Sequence, residues 1–201
     1  MGGVAAWEVD ILTAADIPSL AVTRSEAFAE KRCWAMGESV ADQEKLMRAA
    51  YEKMRDQEPS KMKHCAVVRD EGGGVVAACQ VMMQGDSGDG LMPEWMRHKL
   101  LPGECYVEWI GTRENARGKG AGKKLMAWAD EIAAQNGCTF MRLEVMAGNP
   151  AVRLYERGGY DVVTRGKNCF GRLGICCIVW CFMGCKYTEA LEMRKPLNPK
   201  P

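Results

Sequence analysis

The stretch from Cys105 to Gly122 constrains the fold of this chain more than any other. It begins with residues that favour β-strands and ends with glycines spaced two apart: Tyr106, Val107, Trp109 and Ile110, then Gly118, Gly120 and Gly122. Apolar residues then recur at helical spacing from Leu125 to Ile132. The pattern predicts a strand, a glycine-rich loop and a helix, in that order.

A glycine loop that leads into a helix is suited to binding an anion. Glycines let backbone N–H groups approach the anion, and the helix start carries a partial positive charge. Five cations flank the loop: Arg113, Arg117, Lys119, Lys123 and Lys124. Two common phosphate loops do not fit, since a P-loop requires glycine where Arg117 stands and a dinucleotide fingerprint from Gly118 requires it where Lys123 stands. The stretch therefore predicts a phosphate site that is neither a P-loop nor a dinucleotide fingerprint.

The loop at 117–122 resembles the Arg/Gln-x-x-Gly-x-Gly/Ala signature of the GNAT superfamily of N-acetyltransferases. Residues 149–160 are similar to a later segment of that family: an asparagine, a helix with Leu-Tyr-Glu, then glycine and an aromatic residue that opens a strand. The two segments occur in the family's order. The resemblance implies an α/β fold with a mixed, mostly antiparallel twisted sheet and helices on both faces. It also implies acetyl-coenzyme A as co-substrate.

The resemblance assigns cofactor contacts to named residues. It implies that the loop and helix start hold the pyrophosphate through Arg117, Gly118, Lys119, Gly120, Ala121, Gly122 and Lys123. It implies that the strand end contacts the pantetheine arm and the thioester oxygen through Ile110, Gly111 and Thr112. Asn149 would bond the same arm, although it lies one residue nearer the tyrosine than in the commonest family spacing. No metal is expected.

Two residues are catalytic candidates. An alkyl ammonium group is present as free amine in only about one molecule in two thousand at pH 7, so a base or a water relay must remove a proton before attack. Glu108 resembles the acidic position that many amine acetyltransferases place on this strand; the alternative is an ion pair with Arg142 or another strand neighbour. Strict alternation places Glu108 on the same face as Ile110, unless a bulge intervenes. Tyr155 matches the tyrosine that protonates the leaving thiolate; the alternative is a core tyrosine.

The remaining pattern predicts one domain at 7–194, with a disordered N-terminus at 1–6 and a tail at 195–201. The 201 residues, 47% hydrophobic and 26% charged, are enough for one sizeable core. The predicted elements are a strand at Trp7–Leu12, a helix capped by Thr13 and Asp16, amphipathic helices within Arg24–Glu58, a hairpin of Cys65–Arg69 and Val75–Met83, a helix from about Gly120 to Asn136, and strands at Phe140–Val145, Tyr160–Val163 and Glu189–Met193.

Charge and cysteine usage limit the partners and the compartment. The net charge is +1, which gives no overall attraction to nucleic acid, so no nucleic-acid partner is expected. Ten cysteines with no visible signal peptide favour a reducing compartment and predict a cytoplasmic protein. His64 and His98 have no partner at a metal-ligand spacing and are expected at the surface.

Two connecting segments leave alternatives open. Gln84–Gly103 either covers the substrate cleft with Trp95 and Met96, or is a solvated loop. Acidic residues within it and directly after it would attract a cationic amine: Asp86, Asp89, Glu94 and Glu104. The segment 168–186 holds five of the ten cysteines. It is interpreted as strands packed in the sheet or in a homodimer seam, as a peripheral membrane contact, or as a zinc site.

These observations predict an acetyl-coenzyme A dependent N-acetyltransferase. The amine would attack the thioester directly in a ternary complex, and the acceptor is either a small-molecule amine or a protein N-terminus or lysine. Two alternatives stay open. One is a coenzyme A binding regulatory domain without turnover, and the other is a membrane-peripheral interaction module built on 168–186.

Overall fold

In the part of the chain that the structure describes, seven strands form one mixed sheet in the order β1-β2-β3-β4-β5-β7-β6. The structure is a computed structural model that describes residues 7–28, 39–86, 98–167 and 189–197. The strands are β1 (Asp10–Ile11), β2 (Cys65–Arg69), β3 (Val75–Met82), β4 (Glu104–Thr112), β5 (Phe140–Met146), β6 (Asp161–Lys167) and β7 (Glu189–Pro196). Only the β4–β5 pair is parallel, and the other neighbouring pairs are antiparallel. The predicted mostly antiparallel sheet is confirmed.

Helices cover both faces of the sheet, as predicted. They are α1 (Ile17–Ala27), α2 (Val40–Gln57), α3 (Ala121–Gln135) and α4 (Val152–Arg157). Apolar residues of α1 and α2 pack with one face of β2, β3 and β4, while those of α3 and α4 pack with the opposite face and with β5 and β7. Strand β3 is buried along its whole length because it faces helices on both sides.

Several predictions fall on residues that the structure does not describe. They concern the segment 168–186, and with it the membrane, dimer and zinc interpretations, and also Asp89, Glu94, Trp95 and Met96. Within the described ranges, no helix combines the length and the apolar character needed to cross a bilayer.

The start of the domain is fixed by a capping box and an ion pair. The Thr13 backbone N–H and hydroxyl both donate to Asp16, at 2.8 and 2.6 Å, as the sequence predicted. Asp16 also accepts from Arg69 of β2 at 2.8 and 2.9 Å, so one carboxylate ties the first helix to the sheet. The first strand is shorter than predicted, because pairing with β2 is limited to Asp10–Ile11.

The β2–β3 hairpin closes as its sequence predicts. Asp70 accepts hydrogen bonds from the backbone N–H groups of Gly72 and Gly74, at 3.1 and 2.9 Å. Gly73 takes a φ of 79°, a conformation that favours glycine. The aspartate and the glycines together make the turn that the Asp-Glu-Gly-Gly-Gly sequence indicated.

A β-bulge at Glu108 breaks the alternation that the sequence predicted for β4. Gln80 pairs with Trp109 and Val81 pairs with Val107, so Glu108 is the extra residue of β4. Val107 therefore packs toward α3, whereas Trp109 packs toward α1 and α2. Ile110 returns to the α3 side. The expectation that Ile110 shares a face with Glu108 is wrong, because the inserted residue shifts the alternation by one.

Glycine at position 111 allows α1 to approach the sheet closely. A Cβ at Gly111 would lie 2.7 Å from the Cβ of Ala27, which is closer than two carbons can pack. We expect Gly111→Ala to lower the free energy of unfolding by about 1–3 kcal/mol through overpacking. Chemical denaturation measures this loss. The matched double variant Ala27→Gly/Gly111→Ala removes the opposing methyl group and should recover part of it, and strict additivity of the two changes would contradict the contact.

Candidate active site

A cleft opens where the two parallel strands of the sheet separate. β4 and β5 pair at only three positions, the last being Tyr106 with Arg142. Beyond that pair, the backbone of β4 from Val107 to Thr112 has no partner strand in β5. The groups that a parallel neighbour would bind are therefore left facing an open space. The open part of β4 includes the strand end to which the resemblance assigned the pantetheine arm.

The cleft has a volume of about 560 Å³ and contains eight of the predicted site residues. They come from β4, the following loop, the start of α3 and the segment around α4: Glu108, Ile110, Gly111, Thr112, Arg117, Gly122, Asn149 and Tyr155. The other five predicted residues belong to the loop and the first turn of α3 but do not line the cleft: Gly118, Lys119, Gly120, Ala121 and Lys123.

The loop before α3 has the geometry of an anion cradle. Gly118 and Gly120 have φ values of 74° and 92°, so glycine is required at both turns. Gly120 is the N-cap of α3, and the first N–H groups of a helix have no acceptor within it. Such N–H groups are suited to binding an anion. Arg113, which the sequence grouped with the loop cations, instead forms an ion pair of 3.1 Å with Glu26 of α1.

Trp7, near the start of the chain, contacts the cradle, a role that no sequence motif indicated. Its indole Nε1–H donates a 2.7 Å hydrogen bond to the backbone carbonyl of Lys119. Its ring also packs against the core on the α3 side of the sheet. Because the two residues are 112 positions apart, only the fold brings them together.

We expect Trp7→Phe to weaken acetyl-coenzyme A binding by about two- to tenfold. The change keeps an aromatic ring but removes the N–H donor, and a hydrogen bond of this type contributes roughly 0.5–1.5 kcal/mol. Isothermal calorimetry with acetyl-coenzyme A measures the effect. The matched control is Trp128→Phe in α3, a partly buried indole that packs on the same core. Equal losses in the two variants would contradict a specific role for Trp7.

Glu108 lies in the cleft and is held by a neighbour on β3. The Gln80 side chain donates from Nε2 to Oε2 of Glu108 at 2.8 Å. Arg142, the cation that the sequence offered as an alternative partner, donates to Glu192 of β7 at 2.8 Å. The β-bulge places Glu108 where the two parallel strands begin to separate. Glu108 therefore lies at the start of the gap between β4 and β5.

Tyr155 places a buried ring beside the same cleft. Its side chain is 6% exposed and its ring centroid lies 6.1 Å from that of Tyr160. Burial raises the pKa of the Tyr155 hydroxyl above its usual value, so this group stays protonated at neutral pH. Its hydroxyl has no hydrogen-bond partner within the described ranges. It is a proton donor available to the cleft.

Asn149 combines a structural contact with a place in the cleft. Its Oδ1 accepts from the backbone N–H of Ala151 at 2.9 Å, which shapes the turn before α4. Among the described residues, no hydrogen bond from the Asn149 Nδ2 group is found. The predicted contact with the cofactor arm stays a prediction.

Two acidic residues and both histidines differ from their predicted roles. Glu104 is fully buried and bonds the His98 ring at 2.7 Å, and the His98 ring also stacks on Tyr106 at 3.8 Å. Asp86 bonds His64 at 2.8 Å. Neither carboxylate is therefore free to attract a cationic amine, and neither histidine is a solvated surface residue. Sequence spacing could not reveal these pairs, because the partners meet through the fold.

Comparison with known proteins identifies the family. Residues 26–160 match the model of the acetyltransferase (GNAT) family, which includes the cleft residues on β4, α3 and α4. The acetyltransferase Atu2258 of Agrobacterium fabrum is 39% identical over 62 residues, which span 30% of this chain and 44% of that protein. The chain thus matches less than half the length of this relative.

Solved structures share the fold at low sequence identity. A GCN5-related N-acetyltransferase from Kribbella flavida is 18% identical with a TM-score of 0.63, covering 96% of this chain and 98% of that one. The ribosomal-protein-alanine N-acetyltransferase from Brucella melitensis is 22% identical with a TM-score of 0.60, covering 94% and 99%. Three observations agree: β4 and β5 separate, a glycine cradle precedes α3, and the family model matches two thirds of the chain. This protein therefore belongs to the GNAT acetyltransferase family.

Proposed function

We propose that this protein is an N-acetyltransferase that moves the acetyl group of acetyl-coenzyme A to a primary amine. The observation that carries the proposal is the separation of β4 and β5 directly before the glycine cradle of α3. An extended carrier with a diphosphate at one end requires such a continuous site. When bound, acetyl-coenzyme A supplies a thioester whose carbonyl carbon is open to attack by a neutral amine.

Different residues along the cleft bind the diphosphate, stabilise the developing charge and transfer protons. The N–H groups at the start of α3 and the Arg117 guanidinium bind the diphosphate. Near Ile110, the edge of β4 that faces away from β3 has no partner in β5, and backbone N–H groups on that edge stabilise negative charge on the thioester oxygen. Glu108 removes a proton from the acceptor ammonium, directly or through a water, and Tyr155 gives a proton to the departing sulfur.

Direct attack by the amine is favoured over a covalent acyl-enzyme. Within the described ranges, the thiols of Cys65, Cys79 and Cys105 are buried and Cys138 is partly buried, and none of the four lines the cleft. Burial raises the pKa of the Cys79 thiol, which opposes formation of a thiolate nucleophile. The amine and the thioester therefore meet in one ternary complex.

The acceptor is a small-molecule amine or the N-terminus or a lysine of a protein. Three carboxylates line the cleft, Glu26, Glu108 and Glu144, together with the cation Arg117. Glu26 is paired with Arg113, so the charges of Glu108 and Glu144 are the ones that favour a cationic acceptor. A cytoplasmic location and a homodimer stay predictions from the sequence.

Release of the coenzyme A thiol tests the proposal. Purified protein is incubated with acetyl-coenzyme A and a panel of polyamines, aminoglycosides, amino acids and peptides. We expect thiol release that requires both the protein and at least one amine. Binding of acetyl-coenzyme A in calorimetry without turnover of any amine would support a regulatory domain instead. No binding at millimolar acetyl-coenzyme A would overturn the cofactor site itself.

A further inference from the structure

A buried series of hydrogen-bonded polar side chains leads from α1 to Glu108. Arg24 of α1, Tyr51 of α2 and Gln80 of β3 are 7%, 1% and 3% exposed. The Arg24 guanidinium donates to the Tyr51 hydroxyl at 3.0 Å, and that hydroxyl donates to Oε1 of Gln80 at 2.9 Å. Gln80 then donates to Glu108 at 2.8 Å. Residues from α1, α2, β3 and β4 thus converge on one carboxylate.

Groups that can only donate determine the direction of every hydrogen bond in this series of side chains. The indole Nε1–H of Trp109 can only donate, and it lies 3.1 Å from the Gln80 amide end that also faces Tyr51. That end must be the oxygen, so the amide nitrogen faces Glu108. The Arg24 guanidinium can likewise only donate, so the Tyr51 hydroxyl must accept from Arg24 and donate to Gln80.

The bulge on β4 explains why Gln80 meets Glu108. Gln80 lies on β3 at the position where the register with β4 shifts, and its pairing partner is Trp109. The extra residue in β4 turns Glu108 toward the amide nitrogen while Trp109 bonds the amide oxygen. A carboxylate that loses solvent on partial burial gains a hydrogen bond that favours its charged form.

We propose that Gln80 is a positioning residue that holds the Glu108 carboxylate ionised and oriented for proton removal. The inference rests on the proposed function and deepens it. Gln80 fixes the position of one oxygen of Glu108, and Glu108 lines the cleft that an acceptor would enter. Its own orientation cannot reverse, because the oxygen is held by two donors, Tyr51 and Trp109.

Three of the groups near Glu108, namely Arg24, Cys65 and Tyr106, do not change charge in the acidic range. Arg24 of α1 stays charged at every working pH. Burial and the charge of Glu108 raise the pKa of the Cys65 thiol on β2. Burial, then the charges of Glu144 and Glu108, raise the pKa of the Tyr106 hydroxyl on β4. Glu144 of β5 is half exposed and lines the same cleft, so its titration must be followed separately.

The diagnostic variant is Gln80→Glu, which keeps the shape of the side chain. One carboxylate oxygen can still accept from Tyr51 and Trp109, but the other now faces Glu108. Two adjacent carboxylates cannot both ionise easily, so one proton is shared and the apparent pKa of the pair rises. Gln80→Met is the second variant, since it removes the donor while it keeps a similar volume.

Carboxyl-carbon NMR titration reads the effect without activity. The Glu108 signal is identified by its loss in Glu108→Gln. We expect its apparent pKa to rise by about one unit in Gln80→Met and by about two units or more in Gln80→Glu. In turnover at saturating amine, the acidic limb of kcat should move to higher pH in both variants. The dissociation constant for acetyl-coenzyme A should change by less than about twofold. Gln84→Glu, the same change at an exposed glutamine, is the matched control and should shift neither.

The outcomes separate this inference from the proposed function. If wild-type protein turns over an amine and the Glu108 titration is unchanged in both Gln80 variants, the positioning role is wrong and the function stands. A uniform loss of kcat at every pH, with no shift in titration, would likewise reduce Gln80 to a packing residue. If wild-type protein turns over no amine, the proposed function fails, and the NMR titration still decides whether Gln80 controls Glu108.

Discussion

Glu108→Gln is expected to lower kcat at pH 7 by about a hundredfold. The carboxylate stands in the cleft, and a positioned general base contributes roughly 10²–10⁴ in rate. Without it, the site can use only the amine that is already neutral in solution. Thiol release at saturating amine and acetyl-coenzyme A measures the change.

The pH dependence of the Glu108→Gln deficit identifies its cause. Near pH 9.4 about one alkyl amine in ten is neutral, compared with about one in two thousand at pH 7. The deficit should therefore shrink as the pH rises. The matched control is Glu156→Gln, which makes the same change at an exposed carboxylate beside Tyr155. A loss of less than about threefold, or a deficit equal at every pH, would show that Glu108 is not the base.

Gly120→Val is expected to weaken acetyl-coenzyme A binding by about tenfold or more. Gly120 is the N-cap of α3 at a φ of 92°, and a β-branched residue there costs roughly 1–3 kcal/mol. Relief of that strain turns the first N–H groups of α3 away from the diphosphate. About 1.4 kcal/mol corresponds to a tenfold change in the dissociation constant, which calorimetry measures.

Gly137→Val is the matched control for the Gly120 variant. Gly137 follows the other end of α3, has a φ of 73°, and has open space where a Cβ would be built, as at Gly120. The two variants should lose similar amounts of stability, while only Gly120→Val should lose affinity. If both weaken binding equally, the effect comes from a destabilised helix and the cradle assignment is wrong.

Local signals in the sequence predicted much of the fold. The capping residues Thr13 and Asp16, the glycine turn between β2 and β3, and the end of α3 before Gly137 are all short-range features, and the structure has each of them. Such features depend on a few neighbouring residues, so they can be predicted from the sequence alone. The order of the phosphate loop and the Tyr155 helix was likewise legible as a family pattern.

Features that depend on distant partners could not be predicted. The bulge at Glu108 exists only relative to its partner strand, and no residue type marks it. Gln80 looks like an ordinary strand residue until Trp109 and Tyr51 fix its amide. Trp7 contacts a carbonyl 112 residues away. The burial of Glu104 depends on His98, which the sequence suggested would be solvated.

The short pairing of β4 with β5 makes the sheet weakest where the cofactor would lie. Three residue pairs join the part built on β1–β4 to the part built on β5–β7, and α3 packs across both. A molecule bound between the separated ends of β4 and β5 would occupy the positions where the two strands form no hydrogen bonds with each other. By mass action, such binding raises the free energy of unfolding by about 2.7 kcal/mol when the free ligand concentration is a hundred times its dissociation constant. The ends of the two strands would consequently become rigid only while a co-substrate occupies the gap.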